Sequence, residues 1–565
     1  MQYSSLIMLT DSQPNRLHTE KCYDVAIIGA GISSAYTLIH YISLLEQRSL
    51  DRECQPVKIL VTEKSDEFWT GIPYGNRSGR NALLISSLKE FIPQQLEREH
   101  FAAWLTENRD WVFEPQAHAN GNLSSKWLQA NESAMSQGFW DDLFIPRHTF
   151  GIYLKQRLAD LLQTATTKGL IEYSLVTADV LDVQRSENNL YRIDAVPTAA
   201  ENRTHFLAKK LVLAIGSPPN LAFKQAQSDR DEQEICYIDN MYEPSLDFNL
   251  DRICNSLEQF EHQSQRQVLI IGSNAGTLDT LYSINNSKVA ASLIDKFIIV
   301  SPNAAFPHRI SREAIEVTYH PQHLVALVQA ESFTAKQIFE AVQQDVAYAT
   351  AENINISDIY ADITKVVIQA LNQLSFGEQQ QFVSKYAVEI GKLQRRAGGE
   401  YLDVVEHLID RAKLEFLKGK FVGYFPLATG GSGYEYKDNE HHQHQVFDAP
   451  VGVIINCAGF QDVTKSSSVL IQNLIRREIC VPNDSNRGFV IDKNFEASKN
   501  CYLMGPLVAG NIDGNFRVWH AESCQRIIGL SQQLAEVLFN SERNEVDPTI
   551  AGSEVEAAGV LVNAA

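Results

Sequence analysis

Several short apolar runs, each closed by glycine, set the frame of this chain. Val25–Ile28 leads straight into Gly29, Ala30 and Gly31, and Val268–Ile271 leads into Gly272, Asn274, Gly276 and Thr277. Leu211–Ile215 stops at Gly216, Pro218 and Pro219. Uninterrupted apolar runs of this length, bounded by turn residues, predict strands buried on both faces of a parallel sheet. After the first run, Ile32, Ala35, Tyr36, Ile39, Ile42 and Leu45 recur at helical spacing. The pattern is strand, glycine turn, helix, and the second half of the chain repeats it. Val57–Thr62 predicts the next strand, after a charged stretch, Glu46–Gln55, that lengthens the helix or its loop.

The remaining pattern divides the chain. Residues 1–20 read as a leader and 541–565 as a disordered polar tail. Residues 81–145, with Trp104, Trp111, Trp127 and Trp140, predict an inserted, mostly helical cap. A helix follows from about Phe150, with Arg147 and His148 before it, where surface placement is the commoner outcome. Alternation over Ile171–Val196 predicts a small antiparallel excursion. Residues 313–418 are amphipathic and glycine-poor, a helical insertion whose segments include YLDVVEHLIDRAKLEFL. GKFVGYFPLATGGSGYEYK then predicts a hairpin, and Val451–Phe460 another closing strand. Near the end, Tyr502–Met504 runs into Gly505-Pro506 and a long helix from about His520. The fold class is α/β with two Rossmann-like dinucleotide-binding domains and a helical insertion. The expected organisation is a first domain at 21–255 completed by 446–540, interrupted by a second at 262–445.

The chemistry follows from the glycine turns. Gly29 permits the tight turn and Gly31 a close approach of pyrophosphate to backbone. The first-turn amides of Ala30, Ile32, Ser33 and Ser34 then point donors at the negative charge, and Ser34 is small enough for close packing. Glu63, at the end of the second strand, is the acid expected on the ribose hydroxyls, with Lys64 beside it. The following loop holds Trp69, Thr70 and Tyr74; the two aromatics either flank a bound ring system or pack the loop.

The second cradle departs from the first. Asn274 stands at the second glycine position, beside Gly272, Gly276 and Thr277. The strand at Lys296–Val300 ends without an acid, and Arg309 and Arg312 follow. Lacking the acid and offering arginines, this site suits a 2′-phosphate, so NADPH is preferred to NADH.

Composition narrows the class further. At 565 residues the chain suits several domains, and its net charge of −20 gives no general attraction to nucleic acid or anionic membrane. The eight cysteines contain no CxxC pair, which points to a reducing, cytoplasmic compartment without a cysteine zinc module. The beginning of the chain lacks a secretion signal, and no run of about 18 apolar residues spans a membrane. The cluster His441, His442 and His444 has no placed carboxylate partner and is read as solvent-exposed, so no metal is expected.

Together, IIGAGISS, Glu63 with TGIPYG, IPRHTFGIYL, LAIGSPP, LIIGSNAGTLD, NCAGF and MGP…HAESCQRI resemble bacterial two-dinucleotide flavoproteins of the FAD/NAD(P)-binding group. More distantly the chain is similar to flavin-dependent monooxygenases, including the siderophore N-hydroxylases; the Baeyer–Villiger signature is missing. The resemblance covers roughly residues 20–540. It implies FAD on the first cradle, with Gly216 and Gly505 around it, and NADPH or NADH on the second. It further implies hydride transfer to the flavin and passage of electrons to oxygen or an organic acceptor, on a small-molecule substrate. No catalytic residue is assigned. Two other readings stay open: an electron-transfer reductase serving a protein partner, and a flavin-binding scaffold or regulator with a decayed second site. Oligomeric state is not legible.

Overall fold

The computed structural model describes residues 22–49, 55–113, 121–198, 202–223, 225, 235–311, 318–428, 430–514 and 516–546. The expected leader and Arg312 lie outside the described residues.

The first sheet is built around Cys22–Ile28. This strand pairs in parallel with Val57–Glu63 on one side and Thr204–Leu213 on the other. Its burial is nearly complete (Ala26 and Ile27 are 0% and 1% exposed), as its unbroken apolar run requires. Val57–Glu63 pairs in turn with the first half of Ile171–Arg185, whose second half turns away to pair antiparallel with Tyr191–Pro197. That excursion returns through Thr204–Leu213. On its far side, Cys501–Leu503 adds in parallel, so a segment from near the end of the chain completes the first sheet. The helix Ile32–Ser49 buries its amino-terminal half against this sheet and the helix Cys524–Val546.

The second sheet repeats the arrangement. Gln267–Ile271 lies between Lys296–Ser301 and Val453–Asn456, all parallel. Tyr237–Ile238 extends one edge; Leu414–Pro426, Ser432–Asp438 and His444–Val451 extend the other. Three boundaries are corrected by these registers. The strand at Tyr237 belongs to the second sheet, so the first domain's opening part ends before 255. Val453–Asn456 does too, so the second domain runs past 445. The helix read through Leu417 stops at Asp410: Ala412 takes a φ of 54° and turns the chain, and Leu414–Lys418 pair with Phe297–Ser301 as a strand. The helix Cys524–Val546 also continues past 541, where a disordered tail was expected; residues beyond 546 lie outside the described residues.

Two helical additions flank this frame. The cap contributes Gln95–Val112 and Asn122–Ser136, around the buried rings of Phe101, Trp127 and Trp140. The insertion, from Gln322 to Leu393, has its own apolar core of Ile338, Val342, Ile359, Ile363 and Phe382. Trp519, from just before the last helix, packs edge-on to Phe382 and ties the insertion to the completing segment of the first domain.

Candidate functional site

The same construction appears twice. Gly29 has a φ of 90° and Gly272 a φ of 105°, both in the region that only glycine enters without strain. A Cβ on Gly29 would strike the carbonyl oxygen of Ala214, and one on Gly272 that of Cys457. Each glycine therefore lets a crossing strand pass flush beneath the turn. Five residues on, a hydroxyl fixes each turn: Ser34 Oγ donates to the Gly29 carbonyl, and Thr277 Oγ1 to that of Gly272, the latter at 2.8 Å. Beyond the crossing strands stand Gly216 (φ 76°) and Gly459 (φ 104°), with open space where a Cβ would sit.

Around the first cradle, Glu63 is held in place. One carboxylate oxygen accepts from the Ala30 amide at 2.8 Å and the other from the Ser65 amide at 3.1 Å. The backbone of Gly71 passes beside Gly31, and a Cβ on Gly31 would rest in ordinary contact with it at 3.7 Å. Trp69 is buried with a φ of 75° and donates its amide to the Ala30 carbonyl; buried Thr70 Oγ1 finds no partner among the described residues. Gly505 (φ 84°) faces Ser33, whose hydroxyl a Cβ there would meet at 2.9 Å. The sequence-read residues Ala30, Gly31, Ile32, Ser33, Ser34, Glu63, Trp69, Thr70 and Gly505 thus come together around one turn. A gap that a Cβ would narrow, an orphan hydroxyl and a fixed acid at the strand tip fit a dinucleotide laid across it.

Two neighbours do not join them. Lys64 points outward and pairs with Asp179 at 3.4 Å. Tyr74 packs into the core against Phe91 and Phe150, at 5.9 and 5.3 Å between ring centres, rather than flanking a ligand.

At the second cradle the asparagine changes the chemistry. Asn274 caps the helix Ala275–Asn286: its Oδ1 accepts from the Gly276 amide at 3.0 Å and its Nδ2 donates to the Cys457 carbonyl at 3.1 Å. One amide that would face a phosphate is already satisfied from within. Burial raises the Cys457 thiol to about 11, so it stays protonated beneath the turn. Arg309 is corrected as the 2′-phosphate ligand. Its guanidinium is taken up by Asp403 at 2.7 Å and Glu406 at 2.8 Å.

Of Arg147 and His148, read as surface residues, His148 is buried and Arg147 is largely shielded. Arg147 pairs with Asp279 at 2.8 Å, and Asp279 also accepts from the hydroxyls of Tyr242 and, at 3.0 Å, Tyr401. Burial is the strongest single influence on Arg147 and opposes its charge, but Asp279, Tyr242 and Tyr401 together outweigh it and hold its pKa up. Burial, with the Asp279 charge, raises both phenols, so they remain donors. This cluster joins the first domain's helix Arg147–Thr167 to the second fingerprint helix and to the helix Gly399–Asp410. Sequence reading gave Asp279 no role; an acid among Leu278, Leu281 and Tyr282 on the second fingerprint helix was the available signal. His148 is pushed down to about 4 by burial, then by Arg80 and Lys155, and is neutral at pH 7.

Residues 26–218 match the family described as FAD-NAD(P)-binding. Uncharacterized proteins of Mycobacterium tuberculosis (H37Rv) and Mycobacterium bovis are each 29% identical over 527 residues, covering 93% of this chain and 96% of the relative. Among solved structures, the reduced ornithine hydroxylase of Pseudomonas aeruginosa superposes with a TM-score of 0.54 at 10% identity, over 92% of this chain and 99% of that one. The ornithine N-hydroxylase of Kutzneria sp. 744 gives a TM-score of 0.51 at 14% identity, over 93% of this chain and 100% of that one. At these identities the likeness establishes the two-dinucleotide-binding fold. Among the described residues, no helix is long and apolar enough to cross a membrane.

Proposed function

We propose that this protein is an FAD-dependent oxidoreductase, reduced by NAD(P)H, that acts in the manner of a monooxygenase on a small molecule in the cytoplasm. The observation that carries the reading is the paired construction: Gly29 on Ala214 and Gly272 on Cys457, two cradles on parallel sheets locked by the Arg147–Asp279 pair. Two solved structures of this fold are ornithine hydroxylases, one of them with reduced FAD and NADP+.

In this reading Ala30, Ile32, Ser33 and Ser34 present first-turn amides to the FAD pyrophosphate, and Glu63 holds its ribose. Gly505 and the start of the last helix border the flavin end. The second cradle receives NADPH or NADH at the turn from Gly272 to Asn274 and the start of the helix Ala275–Asn286, with the Gly276 amide withheld by the Asn274 cap. Bound flavin supplies the hydride and electron chemistry; the protein positions it and excludes water. The Arg147–Asp279–Tyr401 cluster fixes the two cradles relative to one another.

The Asn274 cap favours a second reading, a flavin-binding scaffold whose nucleotide site has decayed. One experiment separates them. The purified protein should be yellow and should bleach on anaerobic addition of NADPH. Retained FAD that neither NADPH nor NADH reduces would leave the scaffold, and a colourless protein that cannot be reconstituted with FAD would end both.

A further inference from the structure

A cleft of about 1010 Å³ opens between the cap, the second domain and the insertion, on residues that neither cradle uses. Its lining includes five rings, those of Trp127, Phe144, Tyr282, Phe297 and Tyr360. Hydrogen bonds tie its walls together. Asn286 Oδ1 accepts from the amides of Leu123 and Ser124, both at 2.9 Å, and so fixes the cap helix Asn122–Ser136 to the end of the second fingerprint helix. The Gly398 amide donates to the Ile85 carbonyl at 3.0 Å, and a Cβ on Gly398 would strike the Phe144 ring at 2.6 Å. Arg396 lies 3.5 Å above the Tyr360 ring and pairs with Glu90 at 3.3 Å, so a flat guanidinium joins the flat rings. Walls tied in this way form the cleft before any ligand arrives.

The cleft stands apart from the second cradle. That cradle lies at the carboxyl end of the strand Gln267–Ile271, whereas the cleft meets the parallel strand Lys296–Ser301 near its amino end, at Phe297. On the helix Ala275–Asn286 it touches Tyr282 and Asn285, the latter about 13 Å along the axis from Gly276.

Four of the lining side chains keep a covered polar atom with no hydrogen-bond partner among the described residues: Trp127 Nε1, the Tyr282 hydroxyl, Ser357 Oγ and Glu90 Oε2. Trp127 and Tyr282 are 5% and 2% exposed. The indole N–H is a donor. Burial, followed by Glu400 and Asp279, raises the Tyr282 phenol and keeps it a donor as well. The Glu90 carboxylate oxygen accepts, and the Ser357 hydroxyl does either. Charge favours no ion, since five acidic and five basic side chains line the cleft.

We infer that this cleft binds a flat, uncharged aromatic ring system carrying a carbonyl and an N–H, an aryl lactam or amide, at a site separate from both cradles. The five rings cover its apolar faces, its carbonyl accepts from Trp127 and Tyr282, and its N–H donates to Glu90.

The probe is 2-quinolone, a fused-ring lactam, brought to equilibrium by dialysis against the full-length protein as purified. Binding is read without turnover, so it does not depend on the oxidoreductase reading. Trp127→Phe and Tyr282→Phe, which keep a ring and remove a donor, should each weaken binding about fivefold. The thermal midpoint of Tyr282→Phe should be unchanged or raised, because the lost hydroxyl had no partner to lose. Ala130→Trp, at an exposed position of the cap helix that lines the cleft, should block binding. The analogue 1-methyl-2-quinolone, which lacks the N–H, should bind about fivefold more weakly. Binding that is absent, or that all three substitutions leave unchanged, overturns the site. Equal affinity for the methylated analogue overturns the lactam assignment. Displacement of 2-quinolone by saturating NADPH would place it in the coenzyme's site and overturn the separation.

Discussion

Arg147 and Asp279 meet at 2.8 Å across the seam between the two nucleotide-binding domains. One begins the helix that packs on the first sheet; the other lies on the helix that opens the second cradle. Both side chains are largely shielded, and Tyr242 and Tyr401 complete the acceptor's bonds. A pair so placed sets the relation of the two cradles.

Removing one partner should be costly. Asp279→Leu leaves the Arg147 charge buried and uncompensated, a loss of about 3–5 kcal/mol of stability. Arg147→Met combined with Asp279→Leu should recover part of that loss, because the uncompensated charge goes with it. Urea denaturation of the single and double variants tests this; equal stability of wild type and Asp279→Leu would remove the pair from the account.

Gly31→Val should purify without flavin. A Cβ on Gly31 would itself rest in ordinary contact, 3.7 Å from the passing backbone of Gly71, so it is the two further methyls of valine that fill the space between them. The absorbance ratio of flavin to protein reads the loss directly. Circular dichroism close to wild type would show that the fold survives, since Gly31 does not need a positive φ.

Stability should fall as the solution is acidified below neutrality. His148 titrates at about 4 in the folded protein, against about 6.5 in an unfolded chain. Between those values the unfolded state takes up a proton that the folded state does not, so the stability present above pH 6.5 is lost progressively as pH falls. The slope approaches about 1.4 kcal/mol per pH unit near the middle of that window. Denaturation of wild type and His148→Gln at pH 7, 6 and 5 should show a shallower decline in the variant.

Asn274→Gly should strengthen nicotinamide-nucleotide binding. It frees the Gly276 amide and clears the side chain from the turn, at a cost to the helix of only a few tenths of a kcal/mol. Stopped-flow flavin reduction should give Kd values several times lower for NADPH and NADH alike. Arg309→Ala, in contrast, should leave the preference between them unchanged, because Asp403 and Glu406 already hold that guanidinium. A loss of NADPH selectivity in Arg309→Ala would restore it to the site.

The sequence by itself determined the strands and the two cradles. Apolar runs buried on both faces, glycines at forced turns and helical periodicity are local signals, and Gly29, Gly31, Glu63, Gly272 and Thr277 were legible from them. The loop around Trp69 and Thr70 could be placed because it leaves the strand that carries Glu63. What only the tertiary structure decided was pairing between distant segments. Whether Arg309 meets a phosphate or Asp403, and whether Arg147 meets solvent or Asp279, depends on which helices the fold brings alongside, some 90 to 130 positions away in the chain. The strand at Val453 joins the second sheet and that at Cys501 the first because hydrogen-bond register, not composition, assigns a buried apolar run to its sheet.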